Sequence, residues 1–218
     1  MPHSKVLPIV GLISALSLSS LWLMAAIQPA QASSQASHQT VVKAPAAHDT
    51  LSPFKTPENQ FVNLPAGPLV VEAFAPWCEF CATTARFEDT ADAQAAHLHH
   101  LPFVMVDVSR QGGVGHAAQA PTYASIRQTA HDGPGALLTT PAAIAANLRA
   151  FLRTYPVPVP VLFDPAGAPT AWHLQAFPTF LVLNAHHRVV ARLTGFQKPG
   201  AVAQWLERVA HESHGKTP

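Results

Sequence analysis

The chain predicts an α/β fold: a central mixed sheet flanked by helices. Three observations carry that expectation. Two continuous apolar, β-prone runs, residues 69–74 and 101–108, bracket a helical stretch at 79–97. Strand, helix, strand in that order implies a right-handed crossover and a parallel pair buried on both faces. Residues 180–183 and 189–193 are apolar runs joined by Asn184-Ala185-His186-His187-Arg188, the pattern of an antiparallel hairpin. A closing amphipathic helix, 198–211, follows with Val202, Trp205, Leu206 and Val209 at 3.6-residue spacing.

The remaining elements fall between these. Phe61-Val62-Asn63-Leu64 reads as a short strand, and Pro65-Ala66-Gly67-Pro68 as the turn after it. Residues 109–140 are rich in glycine, proline and threonine. They exceed the roughly 12–15 residues of an ordinary structureless connection, which marks a functional or variable insertion. A helix within it is expected near 123–130. Thr140 caps the next helix, Pro141 suits its first position, and Ile144, Leu148, Phe151 and Leu152 face a core. Residues 157–163 read as a strand interrupted by Pro158 and Pro160, hence at an edge or at a strand entry. A turn at 164–167 and a short helix at 168–174 lead to the hairpin.

The first 32 residues stand apart from this fold. Lys5 is their only charged side chain, residues 6–27 are an apolar run, and Pro29-Ala30-Gln31-Ala32 places small residues where a signal peptidase reads. The run is also long enough to span a bilayer, which takes about 20 residues. A cleaved signal and an uncleaved membrane anchor both stay open. Either one sends the rest of the chain out of the cytoplasm, to a periplasmic or other extracytoplasmic space. Residues 33–57 lack periodicity and are rich in Ala, Ser, Gln, His and Pro, so a flexible linker is expected there. Residues 58–214 then form one domain of ordinary size.

Charge and cysteine usage narrow the function. Of 13 basic and 12 acidic residues only Lys5 lies in the first 32, which leaves 12 against 12. A neutral domain without a basic run gives no reason to expect nucleic acid as a partner. The only two cysteines of the 218 residues are Cys78 and Cys81, at the junction of an apolar strand and a helix. The helix dipole and unpaired N–H groups there stabilise a thiolate on Cys78, and Cys81 is near enough to close a disulfide with it. A structural zinc site would need about four ligands, and no second pair supplies them. A purely structural disulfide gains least from so short a loop. The 13 histidines include clusters at His97, His99 and His100 and at His186 and His187. Neither has carboxylates or cysteines at ligand spacing, so a polar helix end and a hairpin turn explain them, and no metal or other cofactor is expected.

The run Phe74-Ala75-Pro76-Trp77-Cys78-Glu79-Phe80-Cys81 resembles the active-site sequence of thioredoxins and protein disulfide isomerases. Phe177-Pro178-Thr179, directly before a strand, resembles that family's cis-proline loop, and Gly195 follows the last hairpin strand as a glycine does in relatives. The resemblance covers residues 61–211. The leader and the stretch from Val161-Leu162-Phe163-Asp164 through Trp172 to Pro178 resemble the TlpA-like branch of extracytoplasmic disulfide reductases. The insertion at 109–140, Glu72 where TlpA-like proteins often have an uncharged residue, and Glu79-Phe80 between the cysteines depart from the branch.

The resemblance implies a thioredoxin-like fold and a thiol–disulfide oxidoreductase acting through a redox-active Cys78–Cys81 disulfide. Cys78 would attack, with its sulfur exposed, and Cys81 would resolve the mixed disulfide. Glu72 takes the place of the family's buried carboxylate and would accept the Cys81 proton, while Pro178 would be cis beside Cys78. Trp77, Phe177 and Thr179 would contact the client. Expected partners are proteins with disulfides or thiols, with a membrane electron donor as a further candidate. The direction expected is reduction, because Glu79 opposes the Cys78 thiolate. An oxidase or isomerase of the same fold, and a copper-binding module using both cysteines, are the alternatives.

Overall fold

The computed structural model describes residues 53–129, 133–167 and 172–214. The expected signal or anchor and most of the expected linker lie outside them. Among the described residues no helix is long and apolar enough to cross a membrane.

The described residues form one seven-stranded mixed sheet in the order β2-β1-β5-β4-β3-β6-β7. Its strands are β1 (Phe54–Lys55), β2 (Phe61–Val62), β3 (Leu69–Phe74), β4 (Phe103–Asp107), β5 (Val161–Phe163), β6 (Thr179–Leu183) and β7 (Val189–Thr194). The helices are α1 (Glu79–Phe87), α2 (Asp89–Leu98), α3 (Tyr123–Arg127), α4 (Pro141–Thr154) and α5 (Ala201–His214). β3, β4 and β5 run parallel, and the β6–β7 hairpin adds to β3 antiparallel, as the apolar runs and the hairpin pattern predict.

Side-chain alternation along β3 positions the site. Val70, Glu72 and Phe74 point to one face and Leu69, Val71 and Ala73 to the other, because successive residues of a strand alternate. Val70 and Phe74 pack with Cys81, Phe103, Leu148, Phe151, Trp205 and Leu206 in a core beneath the helices. Leu69, Val71 and Ala73 pack with Phe54, Val104, Val106, Trp172 and Leu183 on the opposite face. Glu72 therefore projects into the helix-covered core, between Met105 of β4 and Phe180 of β6.

Two expectations change. The sheet begins inside the expected linker: Phe54 is buried, and Lys55 pairs with Phe163. That pairing covers β5, so of the two positions expected for it, edge or strand entry, the second holds: Pro158 and Pro160 lie at its entry, where the Pro160 carbonyl accepts from Met105 N–H at 3.0 Å and no proline N–H is needed. The helix expected over 79–97 bends at Glu88, whose φ of −118° departs from helical values. Its ladder still continues, with Glu88 N–H donating to Thr84 O and Asp92 N–H to Glu88 O. The expected helix at 168–174 lies partly outside the described residues, and its Trp172 is buried in the second core.

Candidate active site

β3 ends at Phe74 and the chain turns through Ala75-Pro76-Trp77 to place Cys78 at the N-cap of α1. Cys78 N–H donates to Ala75 O at 3.0 Å, which fixes the turn, and Cys78 O accepts the first helical bond from Ala82 at 2.9 Å. Both cysteines are free thiols. The hydrogen bond from the Cys81 thiol lowers the Cys78 pKa most, and the backbone N–H groups of Cys81 and Phe80 lower it further. Burial and the Glu79 carboxylate act against them. The Cys81 thiol is pushed well above its ordinary value, first by burial and then by its place as donor to Cys78. One turn of helix thus separates a thiolate former from a retained thiol.

The Phe177–Pro178 peptide bond is cis, as the resemblance implies. It brings Phe177 O to 3.9 Å from Cys78 Sγ. Gly195, at φ +82° beyond β7, donates its N–H to Pro178 O at 2.8 Å and so holds that loop from behind. Trp77 packs edge-on against Phe177, with ring centroids 6.2 Å apart, and its indole N–H donates to Ser109 Oγ at 2.8 Å. Trp77 and Phe177 are half-buried and flank Cys78.

Thr179 differs from its expected role as a client contact. It is buried in β6 and paired on both sides, and its hydroxyl donates to Ala176 O at 2.7 Å. It shapes the loop and is not presented to a client. Cys78 differs as well: the residue is only 6 % exposed. The insertion crosses the active-site turn as a strap. Gly115 N–H donates to Pro76 O at 2.8 Å, and a Cβ on Gly115 would lie 2.7 Å from the Cys78 carbonyl carbon. Tyr155, just beyond α4, donates its hydroxyl to Gly115 O and accepts from Ala117 N–H, both at 2.9 Å. Thr83 of α1 accepts from Ala118 N–H at 3.0 Å, and Asn147 of α4 clips Gly113 through both its N–H and its C=O. Within the strap, Phe80 of α1 meets Tyr123 with centroids 5.5 Å apart.

Below the thiols, Glu72 is fully buried with neither carboxylate oxygen satisfied. Its pKa is raised well above the ordinary range, chiefly by burial and then by Asp89. Asp89 and Asp92 of α2 are also buried, and burial pushes them up to about 7 and about 8. Sequence reasoning missed these two. Their signal was present: Cys81, Ala85, Asp89, Asp92 and Ala96 recur at four- and three-residue intervals, so the acids lie on the buried stripe of the helix. Sequence reasoning also missed Gly115, Ser109 and Tyr155, whose roles arise from contacts 32 to 40 residues apart. Among the described residues no group of three or more His, Cys, Asp or Glu side chains is placed to hold a metal ion.

A mixed sheet carrying a cysteine pair at the first helix, with a cis-proline loop facing the N-terminal cysteine, defines the thioredoxin-like class of fold. Comparison with solved structures gives likenesses at low identity. The chain is similar to a hypothetical protein from Sinorhizobium meliloti at 14 % identity, covering 82 % of this chain and 88 % of that one, with a TM-score of 0.50. It is also similar to a thioredoxin-like protein from Porphyromonas gingivalis at 15 % identity, covering 82 % and 97 %, with a TM-score of 0.47. A third likeness is to an exposed lipoprotein thioredoxin, Etrx1, from Streptococcus pneumoniae at 16 % identity, covering 72 % and 98 %, with a TM-score of 0.47. No family model and no curated protein matches the chain.

Proposed function

We propose that the chain is an extracytoplasmic thiol–disulfide oxidoreductase that reduces protein disulfides. One observation carries the reading: Cys78 caps a helix with its thiol pKa lowered, while Cys81, one turn on, is buried and keeps its proton. That asymmetry suits two sequential tasks. The Cys78 thiolate attacks a client disulfide, forming a mixed disulfide and releasing the first client thiolate. Glu72 then accepts the Cys81 proton, and the Cys81 thiolate attacks the Cys78 sulfur. The second client thiolate leaves with the electron pair, and the Cys78–Cys81 disulfide remains. The client gains two electrons and the dithiol loses two, so a reductant outside this chain must restore it. The Phe177 carbonyl, 3.9 Å from Cys78 Sγ, would receive an N–H from an extended client segment. The apolar run at 6–27 supports delivery out of the cytoplasm, as a signal or an anchor.

Reduction is the direction favoured. Its ground is Glu79, whose carboxylate opposes the Cys78 thiolate; the larger hydrogen-bond effects of Cys81 and the backbone N–H groups lower the Cys78 pKa and act the other way, so the potential itself decides. Insulin reduction in dithiothreitol tests the activity, and Cys78→Ser abolishes it on this reading. Equilibration with glutathione tests the direction: the expected potential lies below about −180 mV, and a higher value replaces the reductase with an oxidase or isomerase.

A further inference from the structure

We infer that Asp89 and Asp92 continue the chemistry of Glu72 as a proton path, carrying the Cys81 proton along one helix face to the surface beside Lys198. The inference rests on the oxidoreductase reading and deepens it. All three carboxyls project into the core between β3 and the α1–α2 helix. Glu72 and Asp89 are 0 % exposed and Asp92 is 2 % exposed. Both oxygens of Glu72, both of Asp89 and Oδ2 of Asp92 lack a hydrogen-bond donor. Two buried carboxyls without donors, beside a third with one oxygen unsatisfied, are costly and call for an explanation.

The bland explanation is helix capping, since acids in a first turn favour the positive end of the dipole. It fails on two counts. A solvent-exposed acid obtains the same benefit without the burial cost, and no side chain accepts a capping bond at the start of α2. A proton shared between acids explains the arrangement better. Two carboxylates offer each other no hydrogen, whereas a carboxylate and a carboxylic acid form a strong hydrogen bond. Glu72 and Asp89 are close enough for that bond, and each acts on the other. Asp92 lies one turn beyond Asp89 and is influenced by Asp89 and Glu88. The outer end is a cavity of ≈ 10 Å³ lined by Asp92, Glu88, Thr84, Gln197 and Lys198. That is about the room one water needs. The titratable groups acting on the row are Cys78 and Cys81 at the inner end and Glu88 at the outer end, where Lys198 lines the cavity.

The step balances. Cys81–SH gives its proton to the Glu72 carboxylate, and the resulting thiolate attacks Cys78. The Glu72 proton passes to the Asp89 carboxylate, from there to Asp92, and from Asp92 to water. One proton leaves per resolution, and the released client thiolate takes up its own from solvent. When the disulfide is reduced again, the path runs inward.

The test follows a single turnover of the full chain with a fluorescent peptide disulfide, between pH 5 and 8.5, in H2O and D2O. Glu72→Gln, Asp89→Asn and Asp92→Asn are compared, with Asp89→Glu as the conservative rescue and thermal melts as folding controls. Asp89→Asn and Asp92→Asn are expected to lower the high-pH plateau of the resolving step roughly tenfold relative to the attacking step, below the 10²-fold or more of losing a general base. Asp89→Glu is expected to restore it. The Glu72→Gln/Asp89→Asn double variant is expected to be no slower than Glu72→Gln, since links in series do not multiply. A midpoint that moves to lower pH with the plateau unchanged would make Asp89 an electrostatic neighbour only and overturn the path. Multiplying losses in the double variant, or a silent Glu72→Gln, would also overturn it while leaving the oxidoreductase intact. A wild-type chain that forms no mixed disulfide would remove the oxidoreductase reading itself.

Discussion

Cys78 and Cys81 are neighbours on one helix, yet the protein surrounds them with opposite chemistry. On the Cys78 side lie the Cys81 thiol and the backbone N–H groups of Phe80 and Cys81. On the Cys81 side lies the buried carboxyl of Glu72, with the buried Asp89 and Asp92 beyond it. Donors favour a charged sulfur, while desolvated acids repel one and accept its proton. A nucleophile must be ionised before it meets its target, whereas a resolving thiol must stay protonated until the target is attached. The two environments separate those requirements within one helical turn.

The largest expected effect breaks the upper half of the comparison. Gly115→Val forces a side chain onto the Cys78 backbone, and overpacking of this kind costs about 3 kcal/mol. A melting temperature roughly 6–12 °C lower follows for a domain of this size. Wild-type melting would show that the strap does not press on the active-site turn.

The next effect concerns the lower half. Asp89 and Asp92, with ordinary values of 3.8, rise to about 7 and about 8 in the folded chain. Burial also raises Glu72, Asp107 and Asp164. Between the unfolded and folded values the native state holds the extra proton, so stability falls as pH climbs from about 4 to about 8. Asp92→Asn removes part of that penalty. It should raise stability by roughly 2 kcal/mol at pH 8, or about 4–8 °C, and by little at pH 4. Melts at both pH values check the sign.

Alkylation then sharpens the contrast between the sulfurs. At pH 7 a small excess of iodoacetamide should label Cys78 at least about tenfold faster than Cys81, because the thiolate is the reactive form. Peptide mass spectrometry reads the ratio, and preferential labelling of Cys81 would reverse the assigned roles. The smallest effect is Ser109→Ala. It leaves the Trp77 indole N–H without its acceptor and should cost about 1 kcal/mol in chemical denaturation.

Local patterns foretold the elements of this fold, and long-range contacts decided the rest. Thr140 caps α4 through Ala143 N–H at 3.2 Å, as its position before Pro141 predicts. The crossover and hairpin follow from uninterrupted apolar runs. β1 escaped notice because two residues carry no periodicity, and its pairing with β5 is set by tertiary packing. Around the site, Cys78, Cys81, Pro178 and Glu72 were legible because motif and strand pattern place them. Asp89 and Asp92 were legible only in part, since charged residues on a helix are ordinarily read as its solvent face. The strap's hold on Cys78 was not legible at all. It depends on Tyr155 and Asn147 reaching back from α4 to glycines whose neighbours resemble any loop.

The strap leaves and re-enters the fold at almost the same point, where Leu138 N–H donates to Arg110 O at 2.7 Å. Two ends so close can be joined by a short turn without moving a strand. Lengthening a segment between fixed ends adds little closure entropy, about 0.6 kcal/mol per doubling. The segment crossing the active-site turn is thus an excursion from one point of the fold: its length can change at small entropic cost, while Gly115 and the residues pinned by Tyr155, Thr83 and Asn147 cannot.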